Sequence, residues 1–414
     1  MLSHSKCLRY GFCAWISCAA VCVGCGDPAD EPVSRSFLIV VESSLYAPLQ
    51  ARLAQYAEAI EAEGFDVRVE PWLPGTVDDL KTLLFEYVDL DDIEGALLIG
   101  DLPAAWYEQV AFDWFESFPT DLYLQNRDAV WTDEDGNGVF DTHSDLVVDI
   151  YTSRLNGTPA QLQDYFARVA YYHRVGPLVD VSGFIFIDDD WSHANTEGAF
   201  DLARLYSRVE IVKEKTDSTL DVYLAKLTGD GTEFTYQWMH SAPAFLSIRH
   251  INESNQTTYG ILRNIAQYNF KGSFFNLFNC SAARFTDTHP TVAQDYVVGS
   301  DYGLAIIGST KTGAVNSPHV FHESLVLGKR WGEAYEQWFN EVGKRSDQWN
   351  LGIVLMGDPL LRLTGDLHPS GAREAAAWMP PGVVDEEIMK RIAETARLDT
   401  FEKYRANHPE FFVE

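Results

Sequence analysis

From Phe37 onward the chain alternates short β-branched or aromatic runs with segments of helical periodicity, which restricts it to an α/β fold with mostly parallel sheets flanked by helices. The pattern opens with a strand over 37–41, a helix over 48–63 and a strand over 66–70, with Gly64 where the helix should stop. Leu49, Leu53, Tyr56 and Ile60 fall three or four apart and give that helix one apolar face for packing on a sheet. A helix over 77–88 leads into the strand Ala96-Leu97-Leu98-Ile99 and the turn Gly100-Asp101-Leu102-Pro103. The aromatic and acidic stretch 106–145 breaks the alternation, and a helix over 159–173 marks a junction. Further strands are expected at 183–187, 209–212, 244–249, 273–278, 304–308 and 353–356, with helices over 219–227 and 323–342 between them.

Five of the six cysteines lie in the first 25 residues, and the body of the chain has only Cys280. The opening, Lys6 and Arg9 before an apolar run from Gly11 to Gly24, has the build of a bacterial export signal and is short for a membrane span. Gly24-Cys25 looks like a lipoprotein cleavage box in which Cys25 takes the lipid; plain secretion after nearby cleavage is the other reading. The expected organisation is a signal over 1–25, a tether over 26–36, one α/β unit over 37–158, a second over 159–365, and a helical tail over 366–414. The setting is thus the bacterial envelope or the exterior, with membrane contact through the N-terminal lipid only.

Lys and Arg number 31 against 61 Asp and Glu, a formal charge of −30, so no basic stripe exists to neutralise phosphates and no nucleic-acid partner is expected. An exported chain with one remaining cysteine cannot make an internal disulfide, so Cys280 is either a small buried hydrophobe or a reactive thiol.

Side chains that do chemistry in parallel α/β sheets gather where strands end at the carboxyl edge. His250 follows the run 244–249 and Cys280 ends the run 274–279; if these strands are neighbours, both project from one edge. A thiol is mostly protonated at neutral pH, and an imidazole beside it favours the nucleophilic thiolate and can then protonate a leaving amine. The same residues also suit plain packing. His319 and His322 lack the companions of a zinc site, and Gly308-Ser309-Thr310-Lys311 lacks the glycine spacing of a nucleotide cradle and better suits a cleft wall.

Taken in order, Leu97-Leu98-Ile99-Gly100-Asp101-Leu102-Pro103, Pro119-Thr120-Asp121-Leu122-Tyr123, His250, Phe278-Asn279-Cys280-Ser281-Ala282 and Met356-Gly357-Asp358-Pro359-Leu360 resemble gingipain-type cysteine peptidases over about 37–363. The resemblance implies a caspase-like catalytic domain behind a smaller α/β subdomain, acting on peptide or protein substrates with Cys280 as nucleophile and His250 as acid/base. The family's histidine usually stands between glycines, whereas here Arg249 and Ile251 flank it; the Ile251 amide would donate to an oxyanion, and its side chain would narrow the cleft. The resemblance also implies an acid at the end of the strand 183–187 to orient the histidine, with Asp190 first and Asp189 next. Asp201 stands about where arginine-specific members carry a pocket acid, but the exposed face of a helix over 197–207 is the preferred reading.

Asp133-Glu134-Asp135-Gly136-Asn137-Gly138-Val139-Phe140-Asp141 has the alternating oxygen donors of a calcium loop, with ligands expected from Asp133, Asp135, Asn137, the Val139 carbonyl, Asp141 and Asp145. Ser144 stands where the usual bidentate Glu would be, and an acidic hairpin turn is the alternative. Together these readings describe an exported cysteine endopeptidase with a structural Ca2+ and no organic cofactor. A transpeptidase of sortase type and a catalytically silent, calcium-stabilised binding module are the rivals.

Overall fold

The computed structural model describes residues 35–192, 201–287 and 290–366; the export signal with Cys25, nearly all of the tether and the tail, and the start of the helix expected at 197–207 lie outside them. The described chain opens with strands β1 (Arg35–Glu42), β2 (Phe65–Trp72) and β3 (Ile93–Ile99), joined by helices α1 (Ser43–Glu61) and α2 (Val77–Asp91). A hairpin of β4 (Ala105–Ala111) and β5 (Trp114–Thr120) follows, then the short helix α3 (Leu122–Gln125), the small pair β6 (Trp131–Thr132) and β7 (Thr142–His143), strand β8 (Tyr151–Leu155) and helix α4 (Pro159–Val175).

Beyond α4 come β9 (Gly183–Ile187), β10 (Val209–Val212), α5 (Leu220–Thr228) and β11 (Thr232–Trp238). Three strands form a separate antiparallel layer, β12 (His240–Ala242), β13 (Phe245–Ile251) and β14 (Thr257–Arg263). The chain returns through β15 (Gly272–Phe278), α6 (Val292–Val297) and β16 (Ala305–Ser309), then α7 (His319–Val326), α8 (Trp331–Glu341) and α9 (Asp347–Asn350), to β17 (Ile353–Gly357).

Ten strands make one sheet in the order β10-β9-β11-β15-β16-β17-β8-β3-β1-β2. Its described pairings are parallel except β16 with β17, so two five-stranded halves run in opposite directions and meet at that seam. The expected boundary between 158 and 159 falls just after β8, inside this continuous sheet.

Alternate residues of β1 serve opposite faces, as strand geometry requires. Leu38 and Val40 pack with Leu80, Leu84 and Phe85 of α2, while Phe37, Ile39 and Val41 join Leu49, Leu53, Tyr56 and Ile60 of α1. Each such buried side chain contributes about 1.5–3 kcal/mol. α2 and α4 start at capping boxes, Thr76 with Asp79 and Thr158 with Gln161, which satisfy amides that the helix itself leaves unpaired. α1 begins five residues before the expected Pro48, because Leu45 extends its buried face.

The helix expected over 323–342 is two helices. Gly328 adopts φ +83° between them, a left-handed turn that ends α7 and lets α8 start in a new direction. Several motif residues brace the fold. Arg154, fully buried on β8, pairs with Asp121 (2.7 Å) and donates to the carbonyls of Leu102 and Pro103, while Thr120 and Thr310 Oγ1 donate to Leu351 O and Pro119 O (both 2.7 Å). The hairpin β4–β5 is thereby tied to the ends of β16 and β17.

Candidate active site

β9, β11 and β15 are neighbours running in the same direction, so their carboxyl ends share one edge. Past β9 stand Asp188, Asp189 and Asp190; past β11 stands His240; past β15 stands Cys280. His240 and Cys280 line one cavity together with Trp191, Met239, Phe278 and Trp349, and the wall is completed by Asn279, Gly313 and Ala314.

Short bonds fix the two strand ends against each other. Asn279 Nδ2 donates to Met239 O (2.7 Å), Gln237 Nε2 donates to Asn279 Oδ1 (2.9 Å), and Ser241 Oγ donates to Cys280 O (2.5 Å). Ser281 takes φ +56°, costly for a residue with a Cβ, and its amide donates to Lys311 O (2.8 Å). The bend leaves Cys280 at the tip of its strand, partly exposed.

The expected partner, His250, is not the histidine in this cavity. β13 pairs with β12 and β14 rather than with β15, because β11 occupies the place beside β15 that the run 244–249 was expected to fill. His250 Nε2 shares a hydrogen bond with Thr258 Oγ1 (2.6 Å), and the Ile251 amide donates to Lys215 O (3.0 Å), so it is not offered to an oxyanion. Sequence reading missed His240. The signal available was its place two residues beyond a strand, but β11 reads Thr-Glu-Phe-Thr-Tyr-Gln-Trp and lacks the apolar run of a buried strand.

Asp190 does meet a histidine: His240 Nε2 donates to its Oδ2 (2.6 Å), with Asp188 Oδ2 at 3.9 Å. Asp190 also pairs with Arg249, and the buried Asp189 faces Arg249 (3.1 Å) and Lys215 (3.4 Å). Burial draws the His240 imidazole down to about 3. Burial likewise holds the Asp188 carboxyl well above its usual range. The Cys280 thiol is pushed up to about 11, first by burial and then by Glu116, against the Gly313 N–H and Lys311, which favour the thiolate. Lys311 itself is fully buried, with Nζ 3.1 Å from Glu116 Oε1 and donating to Gln348 O (2.8 Å).

Asp201 lies away from this cavity. Buried at the start of the 201–207 stretch, it takes Nδ1 of His319 on both oxygens (3.0 Å each). In the acidic loop, Asp133 accepts the amides of Gly136, Asn137 and Gly138, and Asp141 accepts that of Glu134. One carboxylate oxygen each from Glu108, Asp135 and Asp141 lies within 4.8 Å of the others, a spacing a hard cation can bridge; Glu108, on β4, was not foreseen, and Asp133 and Asp145 stand outside that group. Asn137 Nδ2 donates to Glu108 and Asp135, and Val139 N donates to Asn137 Oδ1. Asp188, Asp190 and His240 form a second group of that spacing, with Arg249 already seated on Asp190.

Comparisons with curated proteins and with solved structures return no match. The model of peptidase family C25, the gingipain family, matches residues 76–364, a span that holds both His240 and Cys280 and most of the ten-stranded sheet. With its mostly parallel sheet flanked by helices in the manner of caspase-like peptidases, the chain belongs to peptidase family C25, the cysteine-type peptidases.

Proposed function

We propose that the protein is an exported endopeptidase in which Cys280 is the nucleophile, His240 the general acid/base and Asp190 the acid that orients it. The observation that carries this reading is the cavity shared by Cys280 and His240 at the ends of two adjacent parallel strands. With Nε2 turned to Asp190, Nδ1 is the ring atom that takes the thiol proton as sulfur attacks the peptide carbonyl. Asp190 fixes this tautomer and supports the imidazolium that forms. The same proton then passes to the leaving amine as the C–N bond breaks, leaving a thioester, which a water deprotonated by His240 hydrolyses. The Gly313 N–H, directed at the sulfur, favours the thiolate.

The reading further places Cys25 under lipid at the envelope and a structural calcium in the 133–141 loop. Purified protein should cleave a peptide library, Cys280→Ala and His240→Ala should each reduce kcat/KM by about 10³-fold or more, and His250→Ala should retain it within about threefold. Loss in His250→Ala with activity kept in His240→Ala would reverse the assignment of the base. A wild type that binds peptides without cutting them would leave the silent module, and products joined to an added amine would identify a transferase.

A further inference from the structure

We propose that Arg249 is a positioning residue for the acid/base pair: its guanidinium clamps Asp190 so that one carboxylate oxygen stays presented to His240. This rests on the reading of His240 as the acid/base and Asp190 as the acid that orients it. Arg249 belongs to β13, where successive side chains point to opposite faces. His250 is turned to Thr258 of β14, and Arg249 is turned the other way, to the acids that follow β9. One atom, Nη1, meets both Asp190 Oδ1 and Asp189 Oδ2 (3.1 Å), while the Arg249 amide donates to Asp188 Oδ2 (3.2 Å). A single residue of the antiparallel layer thus touches all three acids. Asp190 is divided between two partners, Oδ1 on Arg249 and Oδ2 on His240 (2.6 Å).

Asp190 stands where a carboxylate needs such a hold. It lies in a single 3-10 turn, Asp189–Trp191, whose start is capped by Asp188 accepting the Asp190 amide (3.1 Å), and its side chain is 18% exposed. With acids at the two preceding positions, an unclamped carboxylate is drawn toward water and away from its neighbours, and so off the imidazole. A cation bonded to the far oxygen opposes both tendencies and fixes the rotation of the group. Lys215 supplies a second cation to Asp189 (3.4 Å). The Arg249 side chain is itself largely covered, so water and salt screen this network less than a surface ion pair. Trp191 of the same turn lies 4.4 Å from the His240 ring, so the turn that Arg249 steadies holds the imidazole by a face as well as by an edge. Arg249 does not itself wall the cavity, so its influence reaches the chemistry through Asp190 and His240.

The test is a double-mutant cycle in the full chain, read with a peptide that the wild type cleaves. Arg249→Gln should lower kcat by about tenfold or more and leave KM within about twofold. In an Asp190→Asn background, itself slower by about 10²-fold, the same substitution should lower kcat by less than about twofold, because the group it acts through is gone. Arg249→Lys should recover most of the lost kcat, since an ammonium can replace the one nitrogen that makes both contacts. An unchanged kcat in Arg249→Gln, losses that multiply in the double variant, a loss confined to KM, or a lysine variant as slow as the glutamine one would each overturn the proposal. Should Arg249→Gln not fold, with Asp189 left buried beside it, Arg249→Gln with Asp189→Asn removes both charges and is compared with Asp189→Asn alone. The same tenfold loss of kcat is then expected, and no loss overturns the proposal. Full activity in Asp190→Asn or His240→Ala would remove the reading of the site, and the proposal with it.

Discussion

Lys311 and Glu116 act on the Cys280 thiol in opposite senses. Burial pulls the Lys311 ammonium below its usual range although Glu116 opposes this, while the same carboxylate helps push the Cys280 thiol up to about 11. Glu116→Gln removes one charge that opposes the thiolate and leaves the ammonium that favours it. The thiolate should then form at lower pH, and alkylation of native Cys280 by iodoacetamide at pH 8 should speed up about tenfold for each unit of that displacement. Lys311→Met should slow it. Equal slowing in both variants would reduce the pair to a brace for the 311–314 turn. Cys280 itself was legible in the sequence, as the lone thiol of the body at the end of an aromatic run. Asp190 was expected to meet a histidine and does, but which one was not legible: eleven histidines offered a choice, and the one after a clean hydrophobic strand, His250, was preferred over the one that lines a cavity with the sulfur.

The elements explain that error. β11 is buried along nearly its whole length, yet Thr232, Glu233, Thr235 and Gln237 are polar, so it has neither an apolar run nor a simple alternation. Two of those side chains are satisfied by partners distant in sequence: Glu233 by Tyr172 (2.5 Å) and the Thr364 amide (2.9 Å), Gln237 by Tyr223 (2.6 Å) and Asn279. No local reading can anticipate such partners, whereas β9 and β10, which need none, were bounded correctly. The loop between β6 and β7 shows the converse, a motif visible at once whose carboxylate neighbour Glu108 comes from β4. Calcium should raise the melting temperature, and Asp135→Ala with Asp141→Ala should abolish the rise; a calcium-independent melting curve in the wild type would leave an acidic turn closed by its own amides.

At the scale of the molecule, His173 joins three parts of the chain. It projects from α4 between Glu63 (2.6 Å), just past α1, and Asp358 (2.7 Å), just past β17. Burial alone would lower its pKa, but Asp358 and then Glu63 more than offset that and hold it up to about 9, against about 6.5 unfolded. A pKa raised on folding gives stability that is complete below pH 6.5 and is lost as pH climbs through 9. The melting temperature should therefore fall across that window, and His173→Gln should flatten the fall while lowering the value at pH 6. A slope unchanged by that substitution would assign the alkaline loss elsewhere.

β17 is the last strand of the described chain, yet it lies at the centre of the sheet, between β16 and β8. Until residues 353–357 are in place, no strand joins the two halves of the sheet, and β16 and β8 each expose a raw edge. Trp349, four residues earlier, reaches the cavity just as late. The sheet and the cavity wall that Trp349 supplies are thus both completed by the last stretch of the described chain, so that a truncation before residue 349 would remove the seam and the wall together.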